Sequence, residues 1–406
     1  MAKSKKRADK PREVVVAGHI CLDVFPTLAG GALSFRPGQL VEAGPVVFAT
    51  GGPVSNTGLA LHKLGIVTRL MGKVGDDLFG QAILQFIAEC GAELAGGMII
   101  APGEASSYSI ILSPPDADRM FIHAPGCNAT FGADDVRYDT LELARLFHFG
   151  YPPLMERMYA HNGAELAVMF RRVKAMGLTT SLDLSMPDPN SAAGRADWHA
   201  ILAATLPYVD VFLPSAEEIL LMLYRPLYDR FAAMPGSSRP LEHITPQIIS
   251  EMGQKLLDMG AKIVALKLGE RGLYLRTAGE SKLAQMGRGQ VQEIAEWSDR
   301  ELWAPCFTAR VVGTTGAGDA TIAGFLAGML WGMSPEMSLE QGCAQGACSV
   351  EAVDALSGLR TASEIAVRIA KGWTRLPLAP DIAQAGWKWN TEDEVWVGPM
   401  DLRNQL

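Results

Sequence analysis

The chain has 406 residues, of which 48% are hydrophobic and 20% charged, and its formal net charge is −8. This composition excludes an intrinsically disordered chain, and the acidic balance argues against binding nucleic acid by neutralising its phosphates. No uninterrupted apolar stretch approaches the roughly 20 residues that a membrane-spanning helix needs, so no membrane partner is expected.

The N-terminal part begins with a basic segment and then alternates between strands and helices. Residues 1–12 are rich in lysine and arginine with no apolar segment behind them, which predicts a disordered basic tail rather than a signal peptide. The apolar run 14–17 predicts the first strand. Helices are predicted over 56–64 and 79–90, each followed by a glycine suited to ending it.

Two segments, 24–50 and 98–124, interrupt this alternation. The first is extended and rich in glycine and proline. The second contains β-rich pieces at 107–112 and 120–123, separated by a Pro-Pro-Asp turn, which predicts an antiparallel hairpin. We expect the two segments to pair into a small sheet that lies apart from the main one.

The alternation resumes near residue 146 with strands that are almost entirely apolar. Such strands between helices predict a parallel sheet covered on both faces, and therefore an α/β fold. Pro226–Pro246 is predicted to be a long loop, and 366–406 a C-terminal extension that holds half of the eight tryptophans. The predicted strands and helices of this part are 146–149, 164–176, 178–183, 209–213, a helix from about 216, 248–259 and 263–268.

The strongest chemical signal is the glycine-rich segment 313–320, Gly-Thr-Thr-Gly-Ala-Gly-Asp-Ala, which leads into a helical pattern. The backbone N–H groups of Gly316, Ala317 and Gly318 would have no partner within that helix. Such a helix N-terminus binds anions, phosphate above all. The segment therefore predicts a phosphate site.

Asp319 stands in the first turn of this helix and has two interpretations. It can simply stabilise the helix dipole, which is worth up to about 1 kcal/mol. Alternatively, it is a general base that removes a proton from an incoming alcohol. The phosphate-binding turn beside it favours the second interpretation.

A second glycine-rich segment, 51–65, also opens a helix. Gly51 and Gly52 allow a close approach of the backbone, and Asn56 offers both a donor and an acceptor. Taken alone, the segment is better explained as a tight turn before a capped helix. Neither segment is a P-loop or a dinucleotide fingerprint, because GxxxxGK[ST] is missing and no GxGxxG follows the first strand; a nicotinamide dehydrogenase is therefore disfavoured.

Together, the two segments resemble the signatures of the PfkB (ribokinase-like) carbohydrate kinase family. The GG…N…A…LG pattern at 51–65 and the TxGAGDA pattern at 314–320 both match. Shorter motifs lie in the family's order, and the resemblance covers about residues 13 to 365. These motifs begin at Gly18, Gly72, Pro125, Leu213 and Lys267.

The resemblance implies a three-layer fold with a central, mostly parallel sheet and a small β-sheet lid. It implies phosphoryl transfer from Mg-ATP to a hydroxyl of a sugar, sugar acid or nucleoside, in the cytoplasm, by a homodimer paired through the lid. It also implies residue roles: Asp319 as base; Gly316, Ala317 and Gly318 as the anion hole; Asp23, Gly51, Gly52, Asn56 and Asn128 at the substrate; Ser215, Lys267, Gly269, Gly272 and Thr315 at the nucleotide; and Glu218 at Mg²⁺ through water.

Three departures from the family pattern affect these expectations. Gly313 stands where an acid often helps to bind a monovalent cation, so potassium dependence stays open. Ser215 replaces the asparagine of the NxxE motif, which changes the nucleotide side. Pro53 and its neighbours replace the Lys-Gly-Ala of ribokinases, so ribose is not the default substrate. The departures keep a second hypothesis open, a catalytically weak relative that binds a ligand or assembles with a partner.

The remaining chemistry-bearing residues are scattered. The seven histidines form no HxxxH or HExxH pair, which argues against a histidine-based metal site. His19 and His123 are candidates for substrate contact, although a structural role is the simpler interpretation. Asp183 either lines the crevice at the sheet edge or caps a turn. The six cysteines form no CxxC pair and are expected to be core residues in a reducing compartment.

Overall fold

The computed structural model describes residues 14–28, 37–38, 40–112, 120–234, 239–378 and 381–402. The predicted basic tail, 1–12, lies outside the described residues. The strands are β1 Val14–Gly18, β2 Cys21–Leu28, β3 Ala43–Gly51, β4 Thr68–Met71, β5 Lys73–Gly75, β6 Ile99–Ala101, β7 Tyr108–Leu112, β8 Met120–Ala124, β9 Leu146–Gly150, β10 Thr179–Leu182, β11 Val211–Phe212, β12 Ile263–Lys267, β13 Leu273–Thr277, β14 Glu301–Ala304, β15 Lys388–Asn390 and β16 Val395–Val397.

The helices follow the predicted order between these strands. They are α1 Pro53–Lys63, α2 Leu78–Cys90, α3 Glu156–Tyr159, α4 Ala164–Ala175, α5 Trp198–Thr205, α6 Ala216–Leu223, α7 Arg225–Ala232, α8 Pro246–Asp258, α9 Glu280–Leu283, α10 Ile294–Trp297, α11 Ala317–Leu330, α12 Pro335–Ser349, α13 Ala362–Ala370 and α14 Asp381–Gln384. Asp77 caps α2 by accepting a hydrogen bond from the Gly80 N–H at 2.8 Å, as its position before the apolar pattern predicts.

The central sheet has the strand order β15-β16-β14-β13-β12-β11-β10-β9-β1-β4. Within this sheet, the neighbouring strands β4, β1, β9, β10, β11 and β12 pair in parallel. The remaining strands, β13, β14, β16 and β15, add an antiparallel edge next to β12. Alternate side chains of β1 enter different cores: Val14 and Val16 pack on the side of α1, α11 and α12, and Val15 and Ala17 on the side of α4, α5 and α8. The predicted three-layer α/β architecture is confirmed.

A separate four-stranded sheet, the lid, has the order β3-β2-β7-β8. β7 and β8 form the predicted antiparallel hairpin, and β2 joins it by pairing in parallel with β7. Because β2 starts three residues after β1 ends, the lid is rooted at the carboxyl edge of the central sheet. The start of the second predicted lid segment, 98–124, does not belong to the lid, because β6 pairs with β5 in a separate two-stranded sheet.

The prediction of a long loop over Pro226–Pro246 is wrong for its first part. Residues Arg225–Ala232 form α7, in which Pro226 occupies the first turn and Phe231 is buried. Proline is well tolerated at that position because its missing N–H would have no helical partner there. Leu227 and Phe231, four residues apart, are the apolar signal that the prolines obscured.

The tryptophan-rich C-terminal segment extends the central sheet. β16 pairs with β14 and β15 pairs with β16, both antiparallel. Trp387 is buried against Tyr274 and Trp303, with ring centroids 6.0 and 5.8 Å away, whereas Trp389 is 41% exposed. Trp387 thus packs onto the body of the fold. The limits of the predicted extension, 366–406, stay a prediction.

No helix in the described part of the chain is long and apolar enough to span a membrane. All six cysteines are free thiols, and four are buried: Cys21, Cys127, Cys343 and Cys348. Cys90 is exposed, against the prediction of a core position, because it ends α2 on the solvent side.

Candidate active site

A cavity of about 600 Å³ opens between the carboxyl edge of the central sheet and the lid. This is where ligands bind in open α/β sheets, because the loops that follow parallel strands converge there. Five of the predicted site residues line it: Asp23, Gly52, Asn56, Thr315 and Gly316. Residues from the lid close the other side, among them Ser109, Ile111, Phe121 and His123.

The glycine-rich turn that is predicted to bind phosphate is built by Gly316 at the N-cap of α11. Its φ of 74° lies in the left-handed region, and an added Cβ would meet the Ala355 Cβ at 2.3 Å, so only glycine fits. The Ala317 N–H closes a turn onto the Thr314 carbonyl at 3.3 Å. Of the three backbone N–H groups that were predicted to point outward, that of Ala317 is therefore already used, and those of Gly316 and Gly318 remain as candidate donors to an anion.

Asp319 lies one turn into α11 and is only 2% exposed. Its Oδ2 accepts hydrogen bonds from Asn56 Nδ2 at 3.0 Å and from the Tyr151 hydroxyl at 2.9 Å, and its Oδ1 accepts one from Thr57 Oγ1 at 3.0 Å. Two of these partners, Asn56 and Tyr151, line the cavity. Asp319 itself is not among the residues that line the cavity, so its carboxylate is held just behind the wall that Asn56 and Tyr151 form, where α1, β9 and α11 meet.

This arrangement leaves Asp319 able to act on an alcohol. A carboxylate has about four lone-pair positions, so three donors leave one on Oδ1 for a further hydroxyl. Burial raises the pKa of Asp319, while the hydrogen bonds from Asn56, Tyr151 and Thr57 and the charge of Lys267 oppose that rise. A raised pKa makes the group a stronger base when it is ionised.

Tyr151 and Thr57 are site residues that the sequence analysis missed. Tyr151 follows the last residue of β9 and adopts a left-handed conformation with φ of 63°, which is uncommon for a non-glycine residue. Its position after a buried parallel strand was the available signal, since such residues face the carboxyl edge of the sheet.

Next to Asp319 lies a buried cluster of charges. The Lys267 Nζ donates to Asp183 Oδ1 at 2.5 Å and to the Leu213 carbonyl at 2.6 Å, and Asp183 is 1% exposed. A Cβ added at Gly318 would lie 3.5 Å from Cδ and Cε of Lys267, so the lysine stem runs along the phosphate-binding turn. Asp183 therefore neither caps a turn nor stands alone, but holds Lys267 in place.

Ser215 and Glu218 form a capping box at the start of α6. The Glu218 N–H donates to Ser215 Oγ at 3.1 Å, and the Ser215 N–H donates to Glu218 Oε2 at 2.7 Å. Ser215, the departure from NxxE, is thereby explained as a helix cap. Burial raises the pKa of Glu218, and the charge of Lys267 opposes this.

The Gly269–Arg271 turn joins β12 to β13, and its ends are glycines in left-handed conformations. Gly269 has φ of 59° and Gly272 has φ of 91°, and a Cβ at Gly272 would meet the Ala304 carbonyl oxygen at 2.0 Å. Both residues therefore shape a tight turn at the same edge of the sheet as Lys267.

Asp23 occupies the opposite, lid-side end of the cavity. It accepts hydrogen bonds from Cys21 and Ser109, and burial raises its pKa to about 6. A Cβ added at Gly51 would lie 2.3 Å from Asp23 Oδ2, so glycine at 51 makes room for the carboxylate. Asp23 and Asn56 thus face one another across the turn that Gly51 and Gly52 form.

Asn128 does not reach the cavity, which corrects its predicted role as a substrate ligand. Its side chain is fully buried, donates to the Ile20 carbonyl at 2.8 Å and accepts from the Ile20 N–H at 3.3 Å. Both ends of the amide are therefore used to fix the turn between β1 and β2, which carries His19 and leads to Asp23.

Comparisons with known proteins give a consistent result. The model of the pfkB family of carbohydrate kinases matches residues 11–362. Fructokinase-1 of Zea mays is 25% identical over 320 residues, 78% of this chain and 82% of that protein. An uncharacterised sugar kinase of Archaeoglobus fulgidus is 28% identical over 268 residues, 66% of this chain and 85% of that protein. The structure of Arabidopsis thaliana ribokinase with ribose and ATP aligns with a TM-score of 0.63 and 20% identity, covering 88% of this chain and 98% of that chain.

Proposed function

The chain belongs to the pfkB family of carbohydrate kinases, and from this premise we propose that it transfers the γ-phosphoryl group of Mg-ATP to a hydroxyl of a sugar, sugar acid or nucleoside, with Asp319 as the general base. The family makes it a phosphotransferase with an alcohol acceptor. The observation that carries the proposal is Asp319, a carboxylate held by three donors at the N-terminus of α11 beside the cavity.

The acceptor is positioned between Asp23 and Asp319. Asp23, Gly52 and Asn56 contact its hydroxyls, and the hydroxyl to be phosphorylated donates to Asp319 Oδ1. Asp319 takes the proton as the alcohol oxygen forms its bond to phosphorus. Tyr151 and Thr57 hold the carboxylate in one rotamer, which keeps the base aligned for in-line attack.

Mg-ATP supplies the phosphoryl group and part of the charge neutralisation when it is bound. The residues fit this role because Gly316, at the N-cap of α11, lines the cavity, and the stem of Lys267 lies 3.5 Å from the Cβ position of Gly318, which brings a cation to the same turn. Gly316 and Gly318 donate backbone N–H groups to phosphate oxygens. Thr315, Gly269 and Gly272 would line the nucleotide's path, and Glu218, whose Oε2 already accepts from the Ser215 N–H, would help to hold the Mg²⁺.

The lid excludes water from the reacting groups. Ile111 and Phe121 place apolar surface over the cavity, and Ser109 connects the lid to Asp23. Expelling water limits hydrolysis of ATP and strengthens the electrostatic interactions inside. Ser215 does not favour the catalytically weak alternative, because it acts as a helix cap, so this alternative rests on the departure at Gly313.

The proposal is tested by coupled ADP release across a panel of sugars, sugar acids and nucleosides. We expect turnover with at least one acceptor and only a slow background rate with ATP alone. If a ligand raises the melting temperature but no phosphorylated product forms with any acceptor, the chain is a binding protein instead.

The pH dependence of acceptor use is a second prediction. Because burial raises the pKa of Asp23 to about 6, the carboxylate that accepts substrate hydroxyls is lost as the pH falls below that value. We expect kcat/KM for the acceptor to fall about tenfold per pH unit below pH 6 and to be level above it. Because burial also raises the pKa of the base Asp319, Asp23→Asn is expected to make this fall shallower rather than to abolish it; a wild-type profile that is flat down to pH 5 argues against the assignment.

We also propose a homodimer paired through the lid. Val46, Val47 and Phe48 of β3 are 44%, 56% and 44% exposed, an apolar row at the lid's edge strand. Light scattering is expected to give twice the chain mass, and Val47→Asp to give the monomer. Ile100→Asp, which changes an equally exposed residue outside the lid, is the matched control. A wild-type monomer rules the pairing out.

A further inference from the structure

The lid-side end of the cavity contains two facing imidazoles, those of His19 and His123, here called the imidazole pair. Their ring centroids are 5.2 Å apart with the planes at 45°, and both side chains line the cavity. His19 follows β1, the central sheet's strand, and His123 lies on β8 of the lid. The pair therefore spans the junction between the two sheets.

Several buried polar atoms of this end have no hydrogen-bond partner within the described residues. They are both ring nitrogens of His19, Nε2 of His123 and Oδ1 of Asn56. His19 is only 2% exposed, so water cannot freely satisfy its ring. Buried polar groups are nearly always hydrogen-bonded, because leaving one unpaired is costly in free energy. Such a group aimed into a cavity indicates a ligand that completes it.

The charge at this end specifies what that ligand carries. Burial and the neighbouring ring lower the pKa of His19 well below its ordinary value, and burial lowers that of His123. Among the described residues, Asp23 contributes the only carboxylate that lines this end. Arg239 lines the same cavity, but it also lines the neighbouring groove together with Glu270 and Arg271 of the Gly269–Arg271 turn, which puts it on the proposed nucleotide side. The lid-side end thus presents neutral rings and a carboxylate, which disfavours an anionic group.

A neutral imidazole is one donor and one acceptor, which matches a hydroxyl. His123 Nδ1 lies 3.0 Å from Ser109 Oγ, so this ring is oriented with Nε2 left for the ligand. Asn56 is likewise oriented, since its Nδ2 donates to Asp319 and its Oδ1 remains. The unpaired atoms of His19, His123 and Asn56 therefore offer hydrogen-bond donors as well as hydrogen-bond acceptors. They lie where the non-reacting hydroxyls of the substrate would lie.

We propose that the imidazole pair determines acceptor specificity by hydrogen-bonding hydroxyls other than the one phosphorylated, which selects an uncharged, polyhydroxylated acceptor over sugar acids and sugar phosphates. The inference rests on the proposed function and narrows its substrate class. His19 and His123 do not touch the transferred phosphoryl group in this account; they position the acceptor.

The test combines binding with turnover. Neutral sugars, their single-deoxy analogues, sugar acids and sugar phosphates are screened by thermal shift with a non-hydrolysable ATP analogue, and by ADP release with ATP. The variants are His19→Phe and His123→Phe, which keep a ring of similar size without its nitrogens, and His19→Asn and His123→Gln as conservative rescues. His199→Phe, at an exposed position of α5, is the matched control.

We expect each Phe variant to raise the acceptor KM about 10–100-fold, with kcat changed less than about threefold and the ATP KM unchanged. The rescues are expected to recover part of the loss. The wild type is expected to disfavour one deoxy analogue at least tenfold, and this penalty is expected to disappear in the variant that lost the matching contact.

Three results separate failure of this inference from failure of the proposed function. An acid or phosphate as the preferred acceptor, with neutral sugars inert, overturns the inference and leaves the kinase in place. Neutral sugars that bind the wild type but not the Phe variants, with no ADP released, support the inference and overturn the kinase. Phe variants with an acceptor KM or binding within twofold of the wild type overturn the role of the pair.

Discussion

Asp319→Asn is expected to lower kcat by about 10²–10⁴-fold, the usual contribution of a general base. The substitution keeps the shape of the side chain and removes its capacity to take the proton. Steady-state ADP release at saturating ATP and acceptor measures the effect. The affinity for a non-hydrolysable ATP analogue is expected to change less than about threefold. The reason is that the Asp319 side chain contacts Asn56, Thr57 and Tyr151 rather than the Gly269–Arg271 turn proposed to bind the nucleotide.

A matched control separates lost chemistry from lost structure. Asp258→Asn changes an exposed carboxylate at the end of α8 that accepts a hydrogen bond from Gln254 at 2.9 Å. We expect this variant to keep wild-type activity. The melting temperature of Asp319→Asn shows whether the fold persists, and a folded Asp319→Asn protein with unchanged kcat contradicts the assignment of the base.

Lys267→Met is expected to lower the free energy of unfolding by about 3–5 kcal/mol, because removing one partner of a buried ion pair leaves an uncompensated charge. Asp183 is 1% exposed and loses the ammonium group that lies 2.5 Å from its Oδ1. A loss of this size is a large share of the 5–15 kcal/mol that stabilises a typical domain. Urea unfolding measures it as a lower midpoint with an unchanged slope.

The second partner supplies the internal control. The double variant Asp183→Asn/Lys267→Met no longer holds the Asp183 carboxylate, whereas Glu218 and Asp319 remain buried near residue 267, so we expect it to recover part of the lost stability. Lys371→Met, at an exposed position, is expected to stay within about 0.5 kcal/mol of the wild type. A loss below about 1 kcal/mol for Lys267→Met itself means that water reaches Asp183. Weaker ATP-analogue binding in both Lys267 variants is the functional counterpart.

The parts of the site that the sequence predicted correctly are those encoded locally. The glycine-rich turn before α11 contains the φ requirement of Gly316, the helix start and Asp319 within a few residues, so the pattern specifies the turn and the helix start by itself, and anion binding there stays a prediction. The cap of α2 at Asp77 and the β7–β8 hairpin are local in the same sense. Alternating strands and helices then fix the layered fold.

The parts that were missed depend on contacts between distant segments. Tyr151 meets Asp319 from 168 positions away, because β9 lies beside β1 and aims its last residue at α11. β15 and β16 have three residues each, too short for a periodic signal, and are strands only because β14 offers an edge. Asn128 fits a family motif, yet its amide serves Ile20, which no local pattern encodes.

The most direct test of the central claim is the distance from the acceptor hydroxyl to Asp319 Oδ1 in a crystal structure with a neutral sugar and a non-hydrolysable ATP analogue. We predict a hydrogen bond of about 2.6–3.2 Å to the hydroxyl that is phosphorylated, in line with the γ-phosphorus. If that hydroxyl lies more than about 4 Å from both Asp319 oxygens, and another side chain is placed to take its proton, the assignment of Asp319 as the base is contradicted.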